Sequence, residues 1–471
     1  MPEFFWMAGK AFLIALILTP IIRDISRSFN MVDRPGKRKV HAYPMPRVGG
    51  IAIAIAYGVS LITFSSSNPQ LMASLAPAWK LIPGAALVFL VGLADDLFSL
   101  KPAVKILGLV AAASIVFFSG LRVGGLANHE VSVWLDYPLT VFWLLLTSNA
   151  LNLIDGLDGL CAGMGLVATL ALFAAALLHG NYPLAYLTFP LAGALVGFLC
   201  YNINPATVFL GDSGALFIGF LLGCYGMIWT QKTSTLLSMM VPLLALSIPL
   251  LDVSLSVLRR FLRNQPIFAA DRGHIHHRLL ERGLSARKAV LVLCLFAALA
   301  AALALLGTSF FGGKYQGFVI LLLCLAAWMG IQQLHYSEFD IAGRLLFHGE
   351  FQRAMHGKLK MESLASAQQP ATTREAWWET LVQGVSTLDL VAVRWTGLGV
   401  VHEERKPGAA AAWSFRVSLT PSDALEIDGR LNVGSAAFDF LSFAQVVSRT
   451  FPANSAREER SAPDRVATVL P

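Results

Sequence analysis

The sequence predicts an all-α polytopic membrane protein of about eleven transmembrane helices, followed by a small cytoplasmic α/β domain. Three observations predict it. Of the 471 residues, 56% are hydrophobic and only 14% charged, against roughly 25% charged in an ordinary soluble domain. Mean hydropathy is +0.62. Apolar runs long enough to cross about 30 Å of hydrocarbon recur up to residue 335 and then stop.

The runs lie near residues 4–22, 49–66, 80–97, 103–120, 139–154, 158–178, 183–200, 213–229, 236–258, 288–308 and 315–334. The first lacks the basic start and small-residue cleavage site of a signal peptide, so it is taken as a span, with Lys10 snorkelling or facing protein. Cys161, Cys200, Cys224, Cys294 and Cys324 lie in or beside apolar segments without metal-ligand spacing and read as small core residues.

Lysine and arginine accumulate in cytoplasmic loops. Arg23, Arg27, Arg34, Lys37, Arg38, Lys39 and Arg47 share one loop, and Arg259, Arg260, Arg263, Arg272, Arg278, Arg282, Arg287 and Lys288 another. With eleven spans these loops lie on the same side, which places the N-terminus in the periplasm and everything after residue 335 in the cytoplasm. A net charge of +7 needs no nucleic-acid partner, because an anionic membrane surface accounts for it.

Five polar clusters interrupt the apolar pattern, and this topology carries all of them to one face. His41–Gly50 combines prolines that stiffen a loop with glycines that start a helix, and includes Arg47; it reads as a functional loop or as a basic helix start. Asp95 and Asp96 close the third run, with Lys101 and Lys105 after them. Adjacent carboxylates repel, so they call for a cation, a metal or an altered pKa, unless they are a solvated helix end. Asn149 and Asn152 share a helix face, while Gly156 and Gly159 permit a turn that returns Asp155 and Asp158 toward them. Carboxylates flanked by membrane spans suggest function, with helix capping as the bland alternative.

Asp212 opens the eighth run as a cap or as an oxygen ligand for a hard cation. The fifth cluster is Asp-Arg-Gly-His-Ile-His-His-Arg-Leu-Leu at residues 271–280, with Asp252, Arg259 and Arg260 upstream. His274, His276 and His277 have no cysteine nearby and no clear fourth ligand for zinc. Arg and His donors facing phosphate are more economical, leaving Arg259, Arg260 and Arg263 as membrane-surface charge. Carboxylates for a metal beside cations for phosphates imply phosphoryl chemistry at a bilayer surface.

In order, spacing and side, these clusters resemble the bacterial polyprenyl-phosphate N-acetylhexosamine-1-phosphate transferases, the superfamily that includes the muramoyl-pentapeptide transferase. The resemblance covers about residues 10–335. Pro44-Met45-Pro46-Arg47-Val48-Gly49-Gly50 and His274-Ile275-His276-His277-Arg278 place the chain with the GlcNAc type.

The resemblance implies a Mg²⁺-dependent transfer, with Mn²⁺ as alternative metal, of HexNAc-1-phosphate from a UDP-sugar to undecaprenyl phosphate, releasing UMP and priming a cell-surface glycan. GlcNAc is the expected sugar; GalNAc or a 6-deoxy-HexNAc is the alternative. It makes Asp212 the principal metal ligand and Asn152 a second one, with Asp95, Asp96, Asp212 and Lys105 catalytic and Lys105 suited to the lipid phosphate. Arg47, Asn149, Asp155, Asp158, His274, His276, His277 and Arg278 are implied for substrate binding. One departure is leucine at Leu107, where many relatives carry glutamine. An inner (plasma) membrane location with a cytoplasmic active site, and a homodimer, are further expectations. The competing class is an ion-coupled transporter, whose carboxylates belong near the membrane midplane rather than at helix ends.

Residues 336–452 read as the cytoplasmic domain, a site for a regulatory or biosynthetic partner. Residues 339–386 look helical, with Trp377 and Trp378 as anchors. Leu388 to Trp395 and Trp413 to Leu419 alternate like strands, Asp428-Gly429 marks a turn, and residues 435–450 form a final helix. Residues 453–471 are expected to be a disordered tail.

Overall fold

The computed structural model describes residues 2–29, 32–33, 45–67, 79–124, 132–232, 240–262, 273–309, 316–333, 364–366, 373–386, 390–397, 400–406, 413–429, 440–452 and 468–470. The chain divides into two compact units, Met1–His335 and Tyr336–Pro471.

The first unit is helical: α1 (Pro2–Ser28), α2 (Gly49–Ser67), α3 (Ile82–Phe98), α4 (Pro102–Phe118), α5 (Val133–Ile154), α6 (Leu160–Leu178), α7 (Tyr182–Asn202), α8 (Gly211–Lys232), α9 (Met240–Ala245), α10 (Ser247–Leu262), α11 (Ile275–Glu281), α12 (Ala286–Ser309) and α13 (Gln316–Gln333). Two short strands, β1 (Val32–Asp33) and β2 (Met45–Pro46), pair between α1 and α2. Among the described residues six helices, α1, α5, α6, α7, α8 and α12, are long and apolar enough to cross a membrane.

Among the described residues each expected apolar run falls on helix, with one correction; residues 236–239, 315 and 334 lie outside them. The run at 236–258 is broken at Leu246 into α9 and α10. Pro249 has no N–H to give to the carbonyl of Ala245, which weakens the helical ladder at this break.

The eighth run is the centre of the bundle. In its 18-residue membrane window α8 is 89% buried, whereas α1 and α12 are 28% and 33% buried and present apolar flanks outward. Helices α2, α3, α5 and α6 pack around α8, and α1 packs on α7. A helix apolar on every side belongs in the middle of such a bundle, and its N-terminal end therefore meets several neighbours at once.

The second unit holds α14 (Arg374–Ser386), β3 (Leu390–Gly397), β4 (Val400–Arg405), β5 (Trp413–Ser418), β6 (Ala424–Gly429), α15 (Phe440–Thr450) and β7 (Thr468–Leu470). Its strands form one antiparallel sheet in the order β4-β3-β6-β5-β7. Trp377, Leu381, Val393, Trp395, Phe415, Leu425, Ile427, Phe443 and Val447 bury together as its core. Trp377 is fully buried and Trp378 stands 6.1 Å from Trp395, so both act as anchors.

Two expectations change here. Asp428-Gly429 is not a turn: Gly429 pairs with Trp413 and Asp428 with Ser414 in β6. A Cβ at Gly429 would lie 1.9 Å from the Trp413 ring, so the glycine gives the indole room to lie across the strand. Thr468–Leu470, expected in a disordered tail, instead adds a strand to β5, whose open edge offers unpaired backbone groups. The exposed β4 carries no alternation that would announce it. The final helix is described from Phe440; residues 339–363, 367–372, 388–389, 435–439, 453–467 and 471 of the expected elements lie outside the described residues.

Candidate active site

The start of α8 is held by side chain and backbone from two other segments. Gly211 takes φ +78°, and a Cβ there would meet the Arg47 carbonyl oxygen at 2.3 Å. The amides of Asp212 and Ser213, which no helix turn can satisfy, donate to Asp96 Oδ1 and Oδ2 at 2.8 and 2.9 Å. Phe209 N donates to Pro46 O at 2.9 Å, while Gly49 N and Gly50 N donate to Phe209 O and Leu210 O at 3.0 and 2.9 Å. The Pro-Met-Pro-Arg-Val-Gly-Gly segment is therefore a backbone brace for Asp212. A Cβ on Gly50 would lie 2.2 Å from Gly214 N, and one on Gly92 would lie 2.6 Å from Ser213 Cα. Glycine is what lets α2 and α3 approach α8 this closely.

Four expected site residues converge beside this brace. Lys105 Nζ donates to Asp95 Oδ2 and Asn152 Oδ1, each at 3.1 Å, and forms a short ion pair with Asp212 Oδ2. Asp95 Oδ1 also accepts the Leu100 amide at 2.7 Å. Oxygens from α3, α5 and α8 thus surround one cation supplied by α4. Among the described residues no group of three or more His, Cys, Asp or Glu is placed to hold a metal. Two carboxylates and an amide oxygen nevertheless fit a hard divalent cation that draws its remaining ligands from phosphate and water.

The Asp155–Gly159 turn lies next to these oxygens. Burial pushes the Asp155 carboxyl up to about 8, the carboxylates of Asp212 and Asp96 add to the shift, and the Arg47 guanidinium opposes it. Asp158 instead braces the turn, since its Oδ2 accepts Asn204 Nδ2 at 2.9 Å and the Ala206 amide at 3.0 Å and so ties it to the α7–α8 loop. Gly159, at φ +80°, donates its amide to Asn202 Oδ1 at 3.1 Å. Asn149 turns its amide nitrogen back to the Leu145 carbonyl at 2.8 Å. Arg47 is exposed between buried Pro46 and Val48.

Asp252, 1% exposed on α10, organises the histidine block. Its Oδ2 lies 2.9 Å from His274 Nδ1 and its Oδ1 accepts the Ile275 amide at 2.8 Å. His276 is 1% exposed, and neither ring nitrogen has a hydrogen-bond partner among the described residues. A Cβ on Gly156 would lie 2.4 Å from His276 Nε2, so the imidazole sits directly against the Asp155–Asp158 turn. Burial, with the neighbouring His277 second, depresses His276 to about 3, so at neutral pH it is uncharged. Arg278 donates to Glu281 at 3.3 Å.

Arg259 and Arg260 are not surface charges. They are 2% and 7% exposed, and Arg259 donates to Ser256 Oγ at 2.9 Å while Gly273 packs on its guanidinium. A basic pair at a helix end looks like membrane-surface charge in sequence; Gly273, brought back from a distant segment, packs on the Arg259 guanidinium, and Arg263 lies outside the described residues. The organising part of Asp252 also escapes sequence reading, because its partners lie some twenty residues away. Its position as a lone carboxylate in an apolar run was the available signal.

The family model for glycosyl transferase family 4 matches residues 78–230, the stretch that supplies Asp95, Lys105, Asn152, Asp155 and Asp212. The chain is 35% identical over 288 residues to a probable undecaprenyl-phosphate N-acetylglucosaminyl 1-phosphate transferase of Bacillus subtilis, spanning 60% of this chain and 79% of the relative. It is 33% identical over 318 residues to a decaprenyl-phosphate N-acetylglucosaminephosphotransferase of Mycolicibacterium smegmatis, spanning 61% and 77%. With an undecaprenyl-phosphate alpha-N-acetylglucosaminyl 1-phosphate transferase of Escherichia coli O157:H7 it shares 28% identity over 337 residues, spanning 68% and 87%.

Proposed function

We infer the activity from the premise that this chain belongs to glycosyl transferase family 4, among its polyprenyl-phosphate N-acetylglucosamine-1-phosphate transferases. The protein is a membrane phosphotransferase that transfers GlcNAc-1-phosphate to undecaprenyl phosphate. The observation that carries this reading is the convergence of Asp95, Asn152 and Asp212 on the Lys105 ammonium.

The donor in this proposal is UDP-GlcNAc. An oxygen of the lipid phosphate attacks the sugar-bearing phosphorus, the bond from that phosphorus to the UMP oxygen breaks, and UMP leaves with the bonding pair. The products are the lipid-linked sugar diphosphate and UMP. Both reactants are anions, so the site must suppress their repulsion and then accept charge on the leaving group. Lys105 places an ammonium where the phosphates meet. The lipid phosphate, with a second ionisation near pKa 6, loses its proton without a dedicated base. Asp96 has both oxygens committed to α8 amides, which makes it a positioning residue for Asp212.

Asp212 and Asn152, with Asp95 facing the same point, would hold Mg²⁺. The ion would supply charge neutralisation to the diphosphate. Arg278 would give the donor a cationic contact and His277 a ring nitrogen, since His274 is occupied by Asp252. Asp155 lies on the nucleotide side.

The reading extends to topology. Eleven spans are counted from the apolar runs, and the two basic segments, residues 23–47 and 259–288, on one side support a periplasmic N-terminus and a cytoplasmic site at the plasma membrane. The test is an assay of the purified full chain with UDP-HexNAc donors, undecaprenyl phosphate and Mg²⁺. UMP and a lipid-linked product are expected with UDP-GlcNAc, and both should vanish with EDTA. Failure to form product from any UDP-HexNAc overturns the reading.

A further inference from the structure

The Lys105 ammonium is shared by Asp95, Asn152 and Asp212. Its charge is thus met within the protein before any substrate binds. The lipid acceptor brings a phosphate with up to about two negative charges, so holding it calls for a further cation on the side from which it arrives.

The acceptor's isoprenoid tail lies in the bilayer, and its phosphate therefore reaches Lys105 from the face that α4 presents to lipid. That face is a stripe of exposed residues, Val104, Leu107, Ile115 and Phe118, while Leu109, Ala112, Ala113 and Val116 make the buried face. At about 3.6 residues per turn, Lys105 lies about 40° round the helix from Lys101, and Val104 about 60° from it in the other direction. Lys101 stands on the shorter way round α4 from the lipid face to the site. Deeper in the bilayer this flank is closed against α3, since a Cβ on Gly108 would lie 2.5 Å from the Val91 side chain. The flank opens at the level of Lys101, one turn or about 6 Å nearer the membrane surface than Lys105.

Lys101 is exposed, and among the described residues its ammonium meets no carboxylate. Its backbone is tied to the catalytic oxygens all the same. Asp95 Oδ1 accepts the Leu100 amide at 2.7 Å while Oδ2 accepts Lys105 Nζ at 3.1 Å, and the Lys105 amide donates to the Lys101 carbonyl at 3.3 Å. One carboxylate thus fixes both the site lysine and the turn that carries Lys101. Leu97 and Phe98, exposed at the end of α3, give the same rim an apolar edge. An ammonium beside such an edge matches a phosphate borne on an isoprenoid.

We propose that Lys101 binds the phosphate of the lipid acceptor at the membrane rim of the site, ahead of Lys105. This rests on the transferase reading above and extends the acceptor side from one cation to two. A lysine that served only as membrane-surface charge would be interchangeable with other basic residues on the same face.

The experiment takes the purified full chain in a neutral detergent and varies undecaprenyl phosphate and UDP-GlcNAc in turn. Lys101→Gln should raise the acceptor KM by about threefold to tenfold without raising the KM for UDP-GlcNAc, and Lys101→Arg should recover most of the loss. Lys288→Gln, which removes an exposed cation from α12, should leave the acceptor KM as in wild type. Binding of undecaprenyl phosphate, counted by native mass spectrometry, should weaken in Lys101→Gln by the same factor as the KM rises. That measurement needs no turnover, so a wild type that binds the lipid but forms no product defeats the transferase reading and still tests Lys101. Equal acceptor affinity in wild type and Lys101→Gln overturns the proposal. So does an equal rise of acceptor KM in Lys288→Gln, which would make Lys101 a general surface charge, or a rise in the KM of both substrates, which would make it a prop for the whole site.

Discussion

The Asp96 carboxylate caps the helix that carries Asp212, its two oxygens accepting the amides of Asp212 and Ser213 at 2.8 and 2.9 Å. Its neighbour Asp95 points instead to Lys105. Two adjacent aspartates on one helix turn therefore act differently, and substitution should separate them.

Asp95→Asn should lower kcat by about a hundredfold or more, the scale of losing one charged group at a transition state, with little change in thermal stability. Asp96→Ala should lower stability as well, by about 1–3 kcal/mol, because it leaves two buried helix amides without an acceptor. Activity assays beside detergent-state melting curves decide the matter. Equal melting temperatures for the two variants would remove Asp96 from its capping role.

Asp212→Asn should abolish turnover while the fold is retained. Lys105→Gln should raise the acceptor KM and lower kcat, since it removes the ammonium where two anions meet. Near-normal activity in Asp212→Asn, with normal Mg²⁺ dependence, would take Asp212 out of the metal site.

Asp155 predicts a stability slope with pH in metal-free protein. Its folded value of about 8 lies above the roughly 3.9 of an unfolded aspartate. The stabilisation from its protonated form is therefore complete below about pH 4 and is lost as pH rises through 8. Wild type in EDTA should melt at a lower temperature at pH 8.5 than at pH 5, and Asp155→Asn should flatten that drop. An unchanged slope in the variant would place the titrating group elsewhere.

Asp252→Asn should loosen the histidine block, because the amide side chain cannot accept from both His274 and the Ile275 backbone as the carboxylate does. The expected signature is a raised KM for the sugar nucleotide with the lipid-acceptor KM unchanged. A rise in both would mean that Asp252 supports the bundle generally rather than the donor side.

In the second unit, Asp423 is buried and bonded to Thr420, Ser422 and Arg374, whose side chain is 18% exposed. Removing one partner of such a pair leaves an uncompensated charge, at a cost of about 3–5 kcal/mol. Asp423→Ala should open this unit to limited proteolysis at temperatures where wild type resists. Equal resistance would show that solvent screens the Arg374 charge.

The helical membrane class, the polar residues worth suspecting and the family are legible in local pattern: apolar runs set by bilayer thickness, and charges too costly to keep among them without use. Asp95, Lys105, Asn152 and Asp212 could be picked out this way before any contact was known.

Tertiary structure alone decided which of those residues meet and which merely hold the others. Asp96 and Asp95 are indistinguishable as letters; their roles differ because only Asp96 faces the first amides of α8. Arg259 reads as surface charge until Gly273 packs on its guanidinium, and Asp428-Gly429 reads as a turn until β5 pairs with it. A side chain's role depends on what lies within a few ångströms, and here those neighbours come from residues tens or hundreds of positions away, beyond the reach of any local pattern.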